Sequence, residues 1–381
     1  MSLALSITFL FFSVVYITVI LLLLRGLLSL RSYNEQKPYS YSIVIAARNE
    51  ESNLRACLDN VLNQSIDRSR YEVIVVDDRS EDTTLDIALE YVDKYENMKV
   101  IHIEDVPEGL SPKKHAVSQG VKLADHEIVV FTDADCIVPR EWLMSINKTF
   151  GETTGLVQGI TKYSYVDGMS KTFWGLQAVD FISHGIVAAA AIGANVPINS
   201  NANNFAFRKD AFREIGGYGS DSGKVVSGDD DLLLQKIWKS RKWKIRFMIE
   251  STAAVTTIPT KTVKGVLEQR KRWGSKTVHY HPLQVALLSG IFLFYLCICG
   301  SLICGLFFPQ CLLWTLGLII LKTVGEMVLM IPGTRIFHQV NLRKWILPAS
   351  LLQLPLVLFA VFAGVFGKFK WKGQKFNRVI K

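Results

Sequence analysis

Residues 2 to 24 carry no charged side chain, and Arg25 ends the run. About 20 apolar residues are needed to cross a bilayer as a helix, so the segment is long enough. It has no basic leader and no small-x-small cleavage site before Arg25, which favours a retained anchor over a removed signal peptide. From residue 40 to 260 apolar and polar positions alternate as in a soluble domain. Apolar runs return at Leu283 and form three candidate spans. Residues 283–308 are uncharged and end before Pro309, residues 311–331 are broken only by Lys322 and Glu326, and residues 345–367 are again uncharged. Lys322 and Glu326 stand four apart, hence on one helix face, where they can pair. Each charge costs about 2.5–3.5 kcal/mol at a membrane centre, which makes this the weakest span.

Inside the mixed region the period switches between strand and helix. SIVIAARNEE reads as a strand running into Asn49, Glu50 and Glu51. Residues 52–63 then place Leu54, Leu58 and Leu62 on one helical face. Val73 to Val76 form a second strand, closed by Asp77 and Asp78, and Ile128 to Phe131 a third, closed by Asp133 and Asp135. Helical patterns cover 83–95 and 112–123. Continuous apolar strands separated by helices predict an α/β fold with a mostly parallel sheet covered on both faces. Ligands in such folds bind beyond the carboxyl ends of the strands, where these acids stand.

Composition changes the picture in one respect. Lys and Arg number 43 against 34 Asp and Glu, a net charge of +9, and mean hydropathy is +0.24. Disorder and low complexity are excluded. The six cysteines show neither disulfide-scaffold, metal-ligand nor redox spacing. The surplus charge has an address: Lys368, Lys370, Lys372, Lys375, Arg378 and Lys381 fill the tail, and Lys261, Lys264, Arg270, Lys271, Arg272 and Lys276 flank the return of apolarity. That is a membrane-surface pattern, and nucleic acid drops out as a partner. Arg25, Arg31 and Lys37 put residues 40–260 on the cytoplasmic side. Three full C-terminal crossings would leave the basic tail outside, so one of those segments is expected to lie in the interface or re-enter.

The carboxylates then suggest chemistry. Asp133 and Asp135 fall on one side of an extended segment, and two hard oxygen ligands there suit Mg²⁺ or Mn²⁺ completed by phosphate and water. Alone, such a pair is more often a solvated loop, and Asp77 and Asp78 could simply cap the next helix. A third cluster, Ser227-Gly228-Asp229-Asp230-Asp231, precedes LLLQKIW. First-turn acids compensating the helix dipole would explain one or two aspartates. Three adjacent ones repel, which raises a carboxyl pKa as a general base requires. Gln269-Arg270-Lys271-Arg272-Trp273 reads by position as a juxtamembrane basic helix, or alternatively as a diphosphate clamp with an aromatic platform.

Taken in order, VIAARNEE, VVDDRSED, SPKKHAVSQG, FTDADC, NNFAFRKDAFREIGGY, SGDDDLLLQKI and QRKRW resemble the family 2 glycosyltransferases, membrane-bound inverting enzymes with a GT-A domain. The resemblance implies a Rossmann-like GT-A domain between N- and C-terminal transmembrane helices. It puts Asn49, Glu50, Asp77, Asp78, Lys113 and Asp133 on the donor, with a divalent metal (Mg²⁺ or Mn²⁺) at Asp135. Asp230 becomes the base, while Asp229, Gln269, Arg272 and Trp273 serve the diphosphate and acceptor. The family has Gly where Arg79 follows the aspartate pair, and a Glu-Asp pair where this chain has Asp229-Asp230. The expected organisation is an anchor over 1–25, the transferase domain over 40–260, an interfacial basic segment over 261–282, two or three spans over 283–367 and a basic tail over 368–381. The expected reaction moves a sugar, first of all from a UDP-sugar, to a lipid-linked or short saccharide acceptor at the inner face of the membrane. A processive polysaccharide synthase is the nearest alternative, and a scaffold with a degenerate domain the non-enzyme one. A nucleotidylyltransferase would open on a glycine-rich loop, which AARNEE lacks.

Overall fold

The computed structural model describes residues 3–108, 110–218, 228–367, 369–371 and 374–376. Ser227 and, in the basic tail, Lys368, Lys372, Arg378 and Lys381 lie outside the described residues. Seven strands form the central sheet: β1 (Tyr41–Ala47), β2 (Tyr71–Asp78), β3 (Met98–Ile103), β4 (Ile128–Phe131), β5 (Thr154–Gln158), β7 (Phe205–Arg208) and β8 (Lys244–Phe247), in the order β3-β2-β1-β4-β7-β5-β8. The first four are mutually parallel, and β5 is parallel to β8. β7 runs antiparallel between β4 and β5. The sheet is mostly parallel, as expected, and which strand reverses could not be read from the sequence, because the composition of FAFR carries no direction. A separate parallel pair joins β6 (Thr161–Tyr163) to β9 (Val255–Thr257).

Alternation along the strands divides the core. Ile43, Ile45, Val73 and Val75 face α2 (Leu54–Val61) and α5 (Trp142–Thr149), while Val44, Ile74 and Val76 face α4 (Pro112–Leu123) and α8 (Asp229–Ser240). Each fully buried aliphatic contributes about 1.5–3 kcal/mol, so the sheet is held from both sides. α3 (Thr84–Val92) and α7 (Lys209–Glu214) complete the layers. Helix α4 and strand β4 fall on the boundaries expected from sequence.

Five helical stretches among the described residues are long and apolar enough to cross a membrane: α1 (Leu3–Leu28), α6 (Lys171–Gly193), α10 (Pro282–Gly305), α11 (Cys311–Ile336) and Val340–Gly364, which contains α12 (Ile346–Phe366). α6 differs in having 67% of its apolar window buried. It crosses α1 where Gly26 meets Ala190 and Gly193, so closely that a Cβ on either glycine would collide with the opposite backbone. α11 continues to Ile336, past the expected end at 331, because Pro332 removes only its own backbone donor. Lys322 and Glu326 do pair, Nζ to Oε1 at 2.6 Å, and Lys322 also donates to the Ser350 carbonyl at 2.6 Å. The Tyr295 hydroxyl donates to Glu326 at 2.9 Å, so the charges are buried as a satisfied cluster. The sulfurs of Cys304 and Cys311, which showed no redox spacing in the sequence, stand 2.8 Å apart across the α10–α11 turn.

α12 packs along α9 (Val263–Ser275), the helix bearing QRKRW. At one end the Trp345 ring lies against Gly175 near the start of α6. At the other, a Cβ on Gly364 would stand 2.8 Å from the Gly274 carbonyl carbon. A short antiparallel hairpin, β10 (Phe369–Trp371) with β11 (Gln374–Phe376), follows.

Candidate active site

Strand register brings the first group together. Ala47 of β1 pairs with Asp77 of β2, and Asp77 with His102 of β3, so the loops after β1 and β2 emerge side by side. Asn49 sits at φ 52° and accepts the Glu81 amide at 2.9 Å, while the Glu50 amide donates to Thr84 Oγ1 at 2.8 Å. Glu50 in turn accepts from Asn53 Nδ2 at 2.7 Å. Asp77 is fully buried, with Oδ2 held by His102 Nδ1 at 2.8 Å, and no described residue partners its Oδ1. Asp78 accepts from Arg79 Nε at 2.9 Å. Arg79 adopts φ 55°, the left-handed conformation that glycine would supply, so the turn survives the substitution.

Lys113 connects the second and third acid clusters. It lies in the first turn of α4, pre-set by Pro112. Its Nζ reaches Asp133 Oδ1 at 2.9 Å and Asp229 Oδ2 at 3.5 Å. Two acids nearly a hundred residues apart in sequence thereby share one ammonium. Asp135 accepts from Thr257 Oγ1 at 3.3 Å and from Cys136 Sγ at 3.5 Å. Burial, with repulsion from Asp133 and Glu50, pushes its carboxyl up to about 6.

The three aspartates of α8 occupy three different settings. Burial would raise Asp229, but Lys113, Lys114 and Lys276 hold it below the usual range. Asp230 accepts the Ala202 amide at 2.9 Å and the Asp231 amide at 2.8 Å, with Lys276 Nζ 3.6 Å away. Burial and its two acidic neighbours push it up to about 7, against the pull of Lys276. Asp231 is fully buried and saturated by the Ser200 amide, the Tyr280 hydroxyl and Lys276.

QRKRW enters from α9. Gln269 donates to the Tyr163 hydroxyl at 3.3 Å, and Tyr163 stacks on Phe181 at 4.1 Å. Trp273 packs between Phe181 and His184 of α6, at 6.1 and 5.2 Å. Arg270 is the deeply buried arginine, paired with Asp180 and lying 4.1 Å over the Trp273 ring, whereas Arg272 is half-buried. Tyr163 lies in register with Thr257, the residue that donates to Asp135, and feels the charges of Asp135, Arg270 and Arg272. The aromatic segment is therefore joined to the second acid cluster. His102, Tyr163, Lys276 and Tyr280 were not legible in the sequence: only register and loop closure bring them in.

Among the described residues no group of three or more His, Cys, Asp or Glu side chains is arranged to hold a metal ion by itself. Asp133 and Asp135 still fit a divalent cation of the kind that keeps waters and substrate phosphates in its shell. The repulsion at Asp135 is what a cation would relieve.

Residues 42–216 match the family described as Glycosyl transferase family 2. Curated relatives include glycosyltransferase AglE of Haloferax volcanii, 28% identical over 50% of this chain and 58% of that protein. The poly-β-1,6-N-acetyl-D-glucosamine synthase of Staphylococcus epidermidis is 25% identical over 62% and 54%. The β-monoglucosyldiacylglycerol synthase of Trichormus variabilis is 28% identical over 61% and 47%. The chain thus spans about half the length of the curated relatives it matches. The fold is similar to that of mannosyltransferase PcManGT from Pyrobaculum calidifontis, solved with GDP-Man and Mn²⁺, at a TM-score of 0.61 and 16% identity over 95% of this chain and 99% of that one.

Proposed function

We propose that residues 42–216, which match Glycosyl transferase family 2 and have a GT-A-like α/β fold, form a glycosyltransferase domain, and that the protein transfers a sugar, with inversion, from a nucleoside-diphosphate sugar to a lipid-linked or short saccharide acceptor. The observation that carries this reading is Lys113, which brings the Asp133–Asp135 pair and the Asp229–Asp230 pair to one site. Asn49, Glu50, Asp77 and Asp78 line the side where the nucleoside would lie, and the one oxygen of Asp77 without a partner suits a nucleobase N–H. UDP-sugars are the first donors to test.

Asp230 serves as the general base in this reading. Its carboxylate takes the acceptor hydroxyl proton, the acceptor oxygen bonds to the anomeric carbon, and the bond from that carbon to the diphosphate breaks on the opposite face. One base and no nucleophile suffice for inversion. Asp135, with Asp133, would hold the divalent cation, which supplies charge neutralisation on the diphosphate when bound. Arg272 and Gln269 serve the same phosphates from α9, and Trp273 the acceptor.

We further propose that α1, α10 and α11 cross the membrane with residues 40–260 on the cytoplasmic side, the side that Arg25, Arg31 and Lys37 favour. α12 then lies along the membrane face beside α9, which returns the basic tail to the same side. The helix bearing QRKRW packs along α12, in keeping with a lipid-linked acceptor. Purified full-length protein should release nucleoside diphosphate from one of UDP-glucose, UDP-N-acetylglucosamine or GDP-mannose in the presence of Mg²⁺ or Mn²⁺. Release with none of them would overturn the reading in favour of a scaffold.

A further inference from the structure

The junction between α9 and α10 supplies two side chains to the acid cluster, the partly buried Lys276 and the buried Tyr280, and neither belongs to a motif. Lys276 caps the C-terminus of α9 and reaches back to Asp231 and, at 3.6 Å, to Asp230 Oδ1. Tyr280, four residues on, donates its hydroxyl to Asp231. The backbone leaves room for this. Gly228, the residue before α8, sits at φ 81°, where an L side chain is strained, and a Cβ there would stand 3.2 Å from Lys276 Cδ. Asp231 takes no part beyond these bonds: it is fully buried, and its oxygens are occupied by the Ser200 amide, Tyr280 and Lys276.

We propose that Lys276 is a positioning residue for the sugar transfer: with Tyr280 it holds the Asp231 carboxyl in place and so sets the orientation and the charge surroundings of the adjacent base, Asp230. This rests on the reading of Asp230 as base. Among the described residues, the groups facing Asp230 are Asp229 and Asp231 on its own helix, Lys113 and Lys114 from α4, Lys276 and Tyr280 from the junction, and Tyr218 beyond α7. His184 of α6 faces Lys276 and Asp231. Lys113 is engaged by Asp133 and Asp229, whereas Lys276 contacts both members of the Asp230–Asp231 pair. Removing its charge leaves two adjacent buried carboxylates to repel, so Asp230 keeps its proton to higher pH. The same lysine ends the helix carrying QRKRW and precedes the first C-terminal apolar helix. The base is therefore tied to the place where the chain meets the membrane.

The test is the pH dependence of nucleoside diphosphate release by the full-length protein, from about pH 5 to about pH 9, using whichever of the three named nucleotide sugars it hydrolyses. Lys276→Met should move the acid limb upward by about one pH unit, a roughly fivefold loss at neutral pH that approaches tenfold on the acid side and is recovered at the alkaline end. Lys276→Arg should restore the wild-type limb. Tyr280→Phe should move it in the same direction by less, and it decides the matter if Lys276→Met no longer binds nucleotide. Loss of turnover equally at every pH, with the limb in place in both variants, would overturn the proposal and leave Lys276 a structural role. Asp230→Asn separates the two levels. If it turns over like wild type, the base reading falls and this proposal with it. If it is inactive while the Lys276→Met limb stays put, only the role of Lys276 falls.

Discussion

The two acid clusters that meet at Lys113 follow opposite electrostatic plans. The Asp133–Asp135 pair ends a strand and has one lysine, which contacts only Asp133; Asp135 is left with two weak donors, Thr257 and Cys136, and repulsion from its neighbours. The α8 triad begins a helix, where the dipole favours anions, and it receives Lys113 on one flank and Lys276 on the other. Carboxylates alone are therefore a poor guide to a cation site. The cluster short of positive charge is the one suited to a metal, and the cluster that brings its own lysines has its charge balanced without one.

Substitutions can break this contrast in order of effect. Asp230→Asn should lower turnover by about 10²–10⁴-fold while nucleotide binding persists, measured by product release beside a nucleotide titration. Asp231→Asn, one residue away, should act on the fold: it leaves Lys276 and Tyr280 poorly partnered and should cost about 3 kcal/mol in denaturant unfolding. Asp135→Asn should do the reverse, losing cation-dependent turnover while raising the thermal midpoint. Its carboxyl is pushed up to about 6 in the folded chain, so ionising it costs stability. That cost is absent below the unfolded value of about 4 and complete above about 6, which makes the gain visible at neutral pH and absent in acid. Asp229, held low by its lysines, has the opposite sign, and its contribution is lost as pH falls through the lowered value. Smallest is the effect of the cation itself. Added Mn²⁺ should stabilise wild type by about 2.7 kcal/mol at a hundred times its Kd, and Asp135→Asn should show no such rise.

Much of this was legible in the sequence. β4 and α4 fall on their expected boundaries because an apolar run and a Pro-started helix are local signals. The acids at the strand ends follow from the same pattern. Legibility ends where a contact depends on closing a long loop. His102 reaches Asp77 only through strand register, and Lys276 reaches Asp231 only because the junction after α9 returns to the start of α8. In QRKRW the spacing marked Arg272, whereas packing against α6 buries Arg270. The antiparallel β7 was illegible for a related reason: strand direction is decided by the path of a connection, not by the residues in the strand.

The crossing of α1 with α6 has a practical consequence. Gly26 and Gly193 let the two backbones touch, and α6 leads directly into the 194–204 loop whose Ser200 and Ala202 amides hold Asp231 and Asp230. A truncated chain starting near residue 40, made to obtain the catalytic half without detergent, would bare the alanine-rich flank of α6 and loosen that loop. Attempts to trim this protein into a water-soluble fragment should therefore give aggregated or inactive material, and the first helix belongs in any preparation meant for enzymology.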